Sequence, residues 1–317
     1  MFQPDLAIQT VKNALSSLSL ADGPPLDYPE GPIAYALGLS LDGNAPVAPL
    51  AEALQEGNLA IEELDHAQVP TLKVNNIGPE PVYVALGAAL CGGKQNRMVS
   101  IPIVIGAHTE TELSVNCVER GRWSPHSQRR FDRVSITPAS LKSGKMSREW
   151  TARRHGAQRS QDQGEVWRDV SERLDTRAVH SRTEDLLESV GPQSADIGWR
   201  KAVREHWANA AGIVVLHRGR VVGLDAWSAE RVRHHELENT VSSYALDFGD
   251  PSAEASDTTS ARPEVDLAAF REPSQWQVRQ SGEAALVDFA LGPDLTGSAV
   301  VLQDTLVHLT VIPAQAA

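Results

Sequence analysis

The sequence predicts an α+β fold: an antiparallel β-sandwich-like or barrel-like core, an Arg-rich helical excursion, and a C-terminal unit of β-hairpin, long helix and further strands. Three observations predict it. Runs rich in β-branched residues, separated by Gly and Pro, crowd residues 70–118; the stretch 129–173 then loses its aliphatic residues and gains arginines; and after residue 212 a second hairpin pattern precedes the longest helical one. At 317 residues and 41% hydrophobic content, the chain can bury a full core without disulfides.

Taken in order, residues 5–20 place Leu6, Ile8, Val11, Leu15 and Leu18 at helical spacing, and Asp22-Gly23-Pro24-Pro25 breaks the pattern. Residues 33–41 read as a strand, 49–57 as a short helix with Gly57 at its C-terminal cap, and 59–64 as another strand. Thr71 to Asn75 and Val82 to Leu86 flank a Gly- and Pro-containing turn, the signature of a hairpin with a longer loop. Met98 to Ile105 and Thr109 to Val118 repeat it, giving four successive antiparallel strands. Helices follow at 139–154, 165–174, 184–190 and 199–211; the turn Arg218-Gly219-Arg220 then joins strands 212–217 and 221–225. Ser228 is placed to cap a helix over 228–248, and strands close the chain at 284–291, 298–302 and 306–312. These elements give one domain over 1–317 in three parts: helix and β core to 123, polar helical excursion over 124–211, and α+β subdomain from 212, with a mobile linker at 249–262.

Net charge is −12, which argues against nucleic acid as a partner, because phosphate binding relies on Lys and Arg. Its distribution is uneven. Residues 120–173 hold thirteen Lys or Arg against six Asp or Glu, a balance of +7 where the remainder carries −19. Such a window attracts anions or an acidic protein partner. No stretch is long and apolar enough to span a bilayer and no signal segment opens the sequence, so a cytoplasmic protein without membrane contact is expected. Cys91 and Cys117 are too few for a disulfide framework, and no His or Cys spacing suits a metal, so neither metal nor cofactor is expected.

Chemistry concentrates in two polar clusters at the ends of the 98–115 segment, which a hairpin through Gly106-Ala107-His108 brings together. Gly92 and Gly93 allow a ligand close to the backbone, Lys94 and Arg97 supply cations, and Gln95 and Asn96 supply neutral donors and acceptors. Glu119 lies between the Cys117 thiol and the guanidiniums of Arg120 and Arg122, and Trp123 offers a ring for stacking. A third motif, Asp162-Gln163-Gly164-Glu165-Val166-Trp167, fits a capping box, with Glu165 the carboxylate best placed to reach the clusters. His308 lies in an apolar strand and reads as a hydrogen-bonded core histidine.

Together these motifs resemble one family, named for its association with ADP-ribosylglycohydrolases and the rhodanese-phosphatase superfamily. The resemblance rests on residues 50–64, the run 69–97 ending in Gly-Gly-Lys-Gln-Asn-Arg, Cys117-Val118-Glu119 with Gly121-Arg122-Trp123, and the 162–167 motif. It continues in Val222-Gly223-Leu224-Asp225, in Ser243 to Asp247 and in Val307-His308-Leu309. The name implies a setting in ADP-ribose or NAD metabolism. The resemblance implies a tendency to acidic residues just before the Gly-Lys-Gln-Asn-Arg element, where this chain has Leu86 to Leu90, and a metal or base held by them would be absent.

The expected function is therefore binding of a phosphorylated, nucleotide-like small molecule such as ADP-ribose or an NAD derivative. Lys94, Arg97, Arg120 and Arg122 hold phosphate, Gln95 and Asn96 orient, Trp123 stacks, and Glu119 or Glu165 is the acid or base if hydrolysis occurs. The alternative is a non-enzymatic interaction or scaffold protein whose motifs are structural ion-pair networks.

Overall fold

The computed structural model describes residues 3–41, 43–124, 130–157, 162–190, 198–250 and 264–314. The fold is α+β with mostly antiparallel sheets, one of them barrel-like. The chain divides into two compact units, residues 1–45 with 194–317, and residues 46–193. Among the described residues no helix is long and apolar enough to cross a membrane.

The first unit is built on one antiparallel sheet. Its strands run in the spatial order Leu18–Leu20, Ile33–Leu39, Gly212–His217, Arg220–Trp227, Thr305–Pro313, Leu295–Leu302, Ala284–Leu291 and Ser274–Ser281, with Leu26–Asp27 paired beside Ile33–Leu39. The N-terminal helix Pro4–Ser17 lays Ala7, Val11, Ala14 and Leu15 on one face of it, against Val214, Phe289, Val301 and Val311. That helix stops three residues before the sequence suggests, because Leu18–Leu20 is taken into the sheet by antiparallel pairing with Leu37–Leu39. The Gly212–His217 and Arg220–Trp227 hairpin forms as its turn predicts. The long helix starts at Glu230 without a side-chain cap, and the Ser228 hydroxyl donates instead to the Leu306 carbonyl. His308 is indeed a core histidine: its Nε2 is 2.9 Å from Asp225 Oδ1, and its ring stacks on Trp227. Of the expected linker at 249–262, residues 251–262 lie outside the described residues.

The second unit holds a six-stranded sheet, ordered Phe131–Ser135, Ala89–Gly92, Arg97–Val99, Thr109–Cys117, Thr71–Asn76 and Leu59–Gln68, and a three-stranded one, Ile103–Ile105, Val82–Val84 and Ala48–Pro49. The predicted hairpin between residues 71–75 and 82–86 does not form. Thr71–Asn76 pairs with Leu59–Gln68 and Thr109–Cys117, whereas Val82–Val84 crosses to the smaller sheet and pairs with Ile103–Ile105. The buried Asn76 holds this parting of the ways, its Nδ2 donating to the carbonyls of Glu80 at 2.8 Å and Gly106 at 2.8 Å. The same separation splits the expected 98–105 strand, and only Arg97–Val99 stays beside Thr109–Cys117, with Cys117 opposite Arg97.

The helices Ala139–Arg154 and Gln163–Thr176 carry the Arg-rich stretch, yet they bury a core of their own: Leu141, Val166, Val170 and Leu174 pack with Met98, Val118 and Leu186. The predicted capping box at the second helix is absent. Asp162 makes no side-chain cap and instead takes the buried Lys145 ammonium at 2.6 Å and the Arg148 guanidinium at 2.7 Å. Gln163 turns back onto the sheet, accepting from the Cys117 amide and donating to the Cys117 carbonyl, both at 2.8 Å.

Candidate functional site

The two polar clusters meet because Arg97 and Cys117 are register partners and Leu90 lies opposite Arg97 on the other side. Gly92 at φ +136° and Gly93 at φ +51° turn the chain out of the sheet between them. A Cβ on Gly92 would run into the Arg130 carbonyl oxygen, and one on Gly93 into the Phe131 ring. Gly92→Ala is therefore expected to cost about 1–3 kcal/mol, the range for forced overpacking. The urea midpoint checks it, with Gly164→Ala, whose Cβ meets open space, as the control that stays near wild type.

At the floor lies a closed network. The Arg122 guanidinium donates to both Glu119 oxygens, from Nε at 2.7 Å and from Nη2 at 2.6 Å. Its remaining donors reach the carbonyls of Gly93 at 2.8 Å, Ser124 at 3.0 Å and Gly92 at 3.3 Å. Glu119 Oε2 also accepts from the Asn96 amide at 3.0 Å, and Asn96 Nδ2 donates to Asp185 Oδ2 at 2.9 Å. Burial pushes the Glu119 carboxyl up, but the Arg122 hydrogen bond, the Asn96 amide and the Arg122 charge together hold it below its ordinary value. Asp185 goes the other way: burial raises its carboxyl against the Leu187 amide and the Asn96 side chain that hydrogen-bond to it.

Above this floor the partners are incomplete. Arg97 is fully buried, and its Nη1 donates to Gln95 Oε1 at 2.8 Å, while Nη2 sits 3.7 Å from Glu63 Oε1. Among the described residues Nε and Nη2 have no hydrogen-bond acceptor, and neither has Glu63 Oε2 a donor. Glu63 Oε1 accepts from the Lys94 amide at 3.0 Å. Trp123 is half exposed, with the Lys94 ammonium 5.0 Å and the Arg97 guanidinium 5.9 Å from its ring centre, both within cation–π range. Among the described residues no carboxylate pairs with Lys94. Arg120 is exposed at the side, 3.5 Å from Glu184 and 5.3 Å from the Trp167 ring centre, and its carbonyl accepts from Gln95 at 3.2 Å.

The profile of the family described as "ARG and Rhodanese-Phosphatase-superfamily-associated Protein domain" matches residues 35–312. The chain belongs to that family. Neither curated proteins nor solved structures give a match to it. The motifs that carry the resemblance fall into both units: Gly-Gly-Lys-Gln-Asn-Arg, Cys-Val-Glu and the 162–167 element in the second, and the Asp225 and His308 elements in the first.

The structure thus brings together Gly92, Gly93, Lys94, Gln95, Asn96, Arg97, Glu119, Arg122 and Trp123. Glu165 stands on the Gln163–Thr176 helix, and among the described residues no hydrogen bond or ion pair joins it to the cluster. Two carboxylates that sequence patterns left aside join instead. Glu63 arrives on Leu59–Gln68, far from the motif in sequence, and Asp185 arrives through an antiparallel bridge to Glu119. Cys91 and Cys117 are both free and buried, and burial pushes each thiol up, the environment of an inert thiol. Ala89, where the resemblance leads one to expect acidic residues, is buried between Met98 and Ser135.

Proposed function

We propose that the protein binds a phosphorylated, nucleotide-like small molecule where Trp123, Lys94 and Arg97 come together, with ADP-ribose or an NAD derivative the first candidate from the family's name. The observation that carries this reading is the half-satisfied Arg97–Glu63 pair beneath an exposed Trp123. Buried polar atoms are as a rule hydrogen-bonded. Arg97 offers donors and Glu63 an acceptor side by side, a complement to a hydroxyl group such as a ribose presents, which both accepts and donates. Trp123 supplies the face on which a base stacks, and Lys94 the charge for a phosphate. Arg120, on the exposed side, is a second cation for the same ligand. Arg122 has no donor left over, so its part in this reading is to hold the Gly92–Gly93 loop.

Binding, and not turnover, is the reading supported. Both oxygens of Glu119 are engaged, and among the described residues no hydrogen bond or ion pair links Glu165 to the cluster. A scaffold role, in which the motifs are structural, draws support from the closed Arg122–Glu119 and Lys145–Asp162 pairs.

Calorimetry with ADP-ribose, NAD and AMP separates the two. Trp123→Ala is expected to weaken nucleotide binding by about 1–3 kcal/mol, the worth of one base stacked on an aromatic ring. Lys94→Ala weakens phosphate-bearing ligands and leaves adenosine unaffected. No heat or thermal shift with any of these ligands at saturating concentration rejects the binding reading in favour of the scaffold.

A further inference from the structure

We infer that the cleft between the helices Gly198–His206 and Glu230–Phe248 is a binding site for a small amphipathic carboxylate, an acid whose body is a single aromatic ring or a branched apolar group. The cleft encloses about 240 Å³ and shares no residue with the Trp123 site. Its walls are apolar, with Val203, Trp207, Ala210 and Leu237 all buried. Trp207 is fixed by its indole N–H, which donates to the Pro24 carbonyl at 2.9 Å.

The polar groups at the cleft decide the chemistry. Arg204 and Glu238 satisfy one another through two hydrogen bonds, at 2.7 and 3.1 Å, and so leave no net charge to attract a ligand. Arg233 is different. Among the described residues its Nε is buried without an acceptor, and its Nη2 lies 3.9 Å from the exposed Glu230 and 3.5 Å from His234 Nε2. Nε–H and one Nη2–H of a guanidinium lie parallel, the edge that takes both oxygens of a carboxylate. An uncharged ligand leaves that edge unpaired, and a bare anion leaves the apolar walls uncovered. The volume lies below the roughly 300–1,000 Å³ of pockets for drug-sized ligands, which sets the limit at one ring or a short branched chain.

Calorimetry with phenylacetate, phenylacetamide and acetate on the full chain tests the inference. Phenylacetate is expected to bind at least tenfold more tightly than either of the others. Arg233→Gln should erase that preference. Ala208→Trp, a change at an exposed position on the cleft, should block binding without disturbing the core. Thermal melts without ligand establish that each variant is folded; if Arg233→Gln is not, Ala208→Trp decides alone. Equal affinity for acid and amide, binding that survives Ala208→Trp, or no binding of phenylacetate at millimolar concentration each overturns it.

Discussion

Arg122→Ala is expected to lower stability by about 3–5 kcal/mol, the cost of leaving a buried charge without its partner. The side chains of Arg122 and Glu119 are 6% and 3% exposed, so solvent does little to screen what is lost. The variant also releases the carbonyls of Gly92, Gly93 and Ser124, and with them the turn that carries Lys94. The pH dependence has a definite sign. Glu119 is held below its ordinary value in the folded protein, so its contribution is present at neutral pH and is lost as pH falls through the folded value. Without Arg122 the depressing partner is gone and burial, which favours the protonated acid, remains. The deficit of the variant should therefore shrink on acidification. Urea unfolding of both proteins at several pH values measures this; a small, pH-independent deficit would mean that the pair contributes little.

The second large effect is expected at Lys145. This ammonium is 1% exposed and lies 2.6 Å from Asp162 and 2.7 Å from Glu149, joining the helix Ala139–Arg154 to the start of Gln163–Thr176. Lys145→Met keeps the stem and removes the charge, leaving two buried carboxylates to repel one another, Asp162 still beside Arg148 and Glu149 beside Arg153. A loss of about 3–5 kcal/mol follows by the same reasoning, and Lys145→Met with Asp162→Asn should recover part of it because one of the stranded charges is removed as well. The readout is local as well as global. Gln163 clamps the Cys117 backbone, so amide exchange along Gln163–Thr176 and at Cys117 should accelerate together. If only the global midpoint moves, Lys145 does not anchor that helix to the sheet.

Much of this architecture was legible in the residues. The helix Ala139–Arg154 has the bounds that its pattern predicts, and the Gly212–Trp227 hairpin and the strands from Ala284 onward follow from alternating apolar runs and tight turns. What could not be read was partnership. Alternation marks Thr71–Asn76 and Val82–Val84 as strands but does not say that they enter different sheets, a choice made by Asn76 and tertiary packing. Phe131–Ser135 hides in a stretch of charge, and Ser274–Ser281 is a polar edge strand with no hydrophobic signal strong enough to announce it. The cluster behaved likewise: the Lys-Gln-Asn-Arg and Cys-Val-Glu residues do converge, whereas Glu63 and Asp185 come from distant segments. Nor does residue type reveal that Arg122 is fully engaged while Arg97 is not, since that depends on which carbonyls fold back toward each guanidinium.

The arrangement of the first unit, assembled from residues 1–45 and 194–317, has a consequence for how the protein is made. Ile33–Leu39 leaves the ribosome early, yet its sheet neighbour Gly212–His217 is translated only after the whole second unit. Until then the apolar faces of Ile33–Leu39 and the N-terminal helix have no sheet to cover. The middle of the chain can therefore reach its native contacts before its beginning does, and the waiting N-terminal segment is the part most exposed to chaperones or to mispairing with another nascent copy.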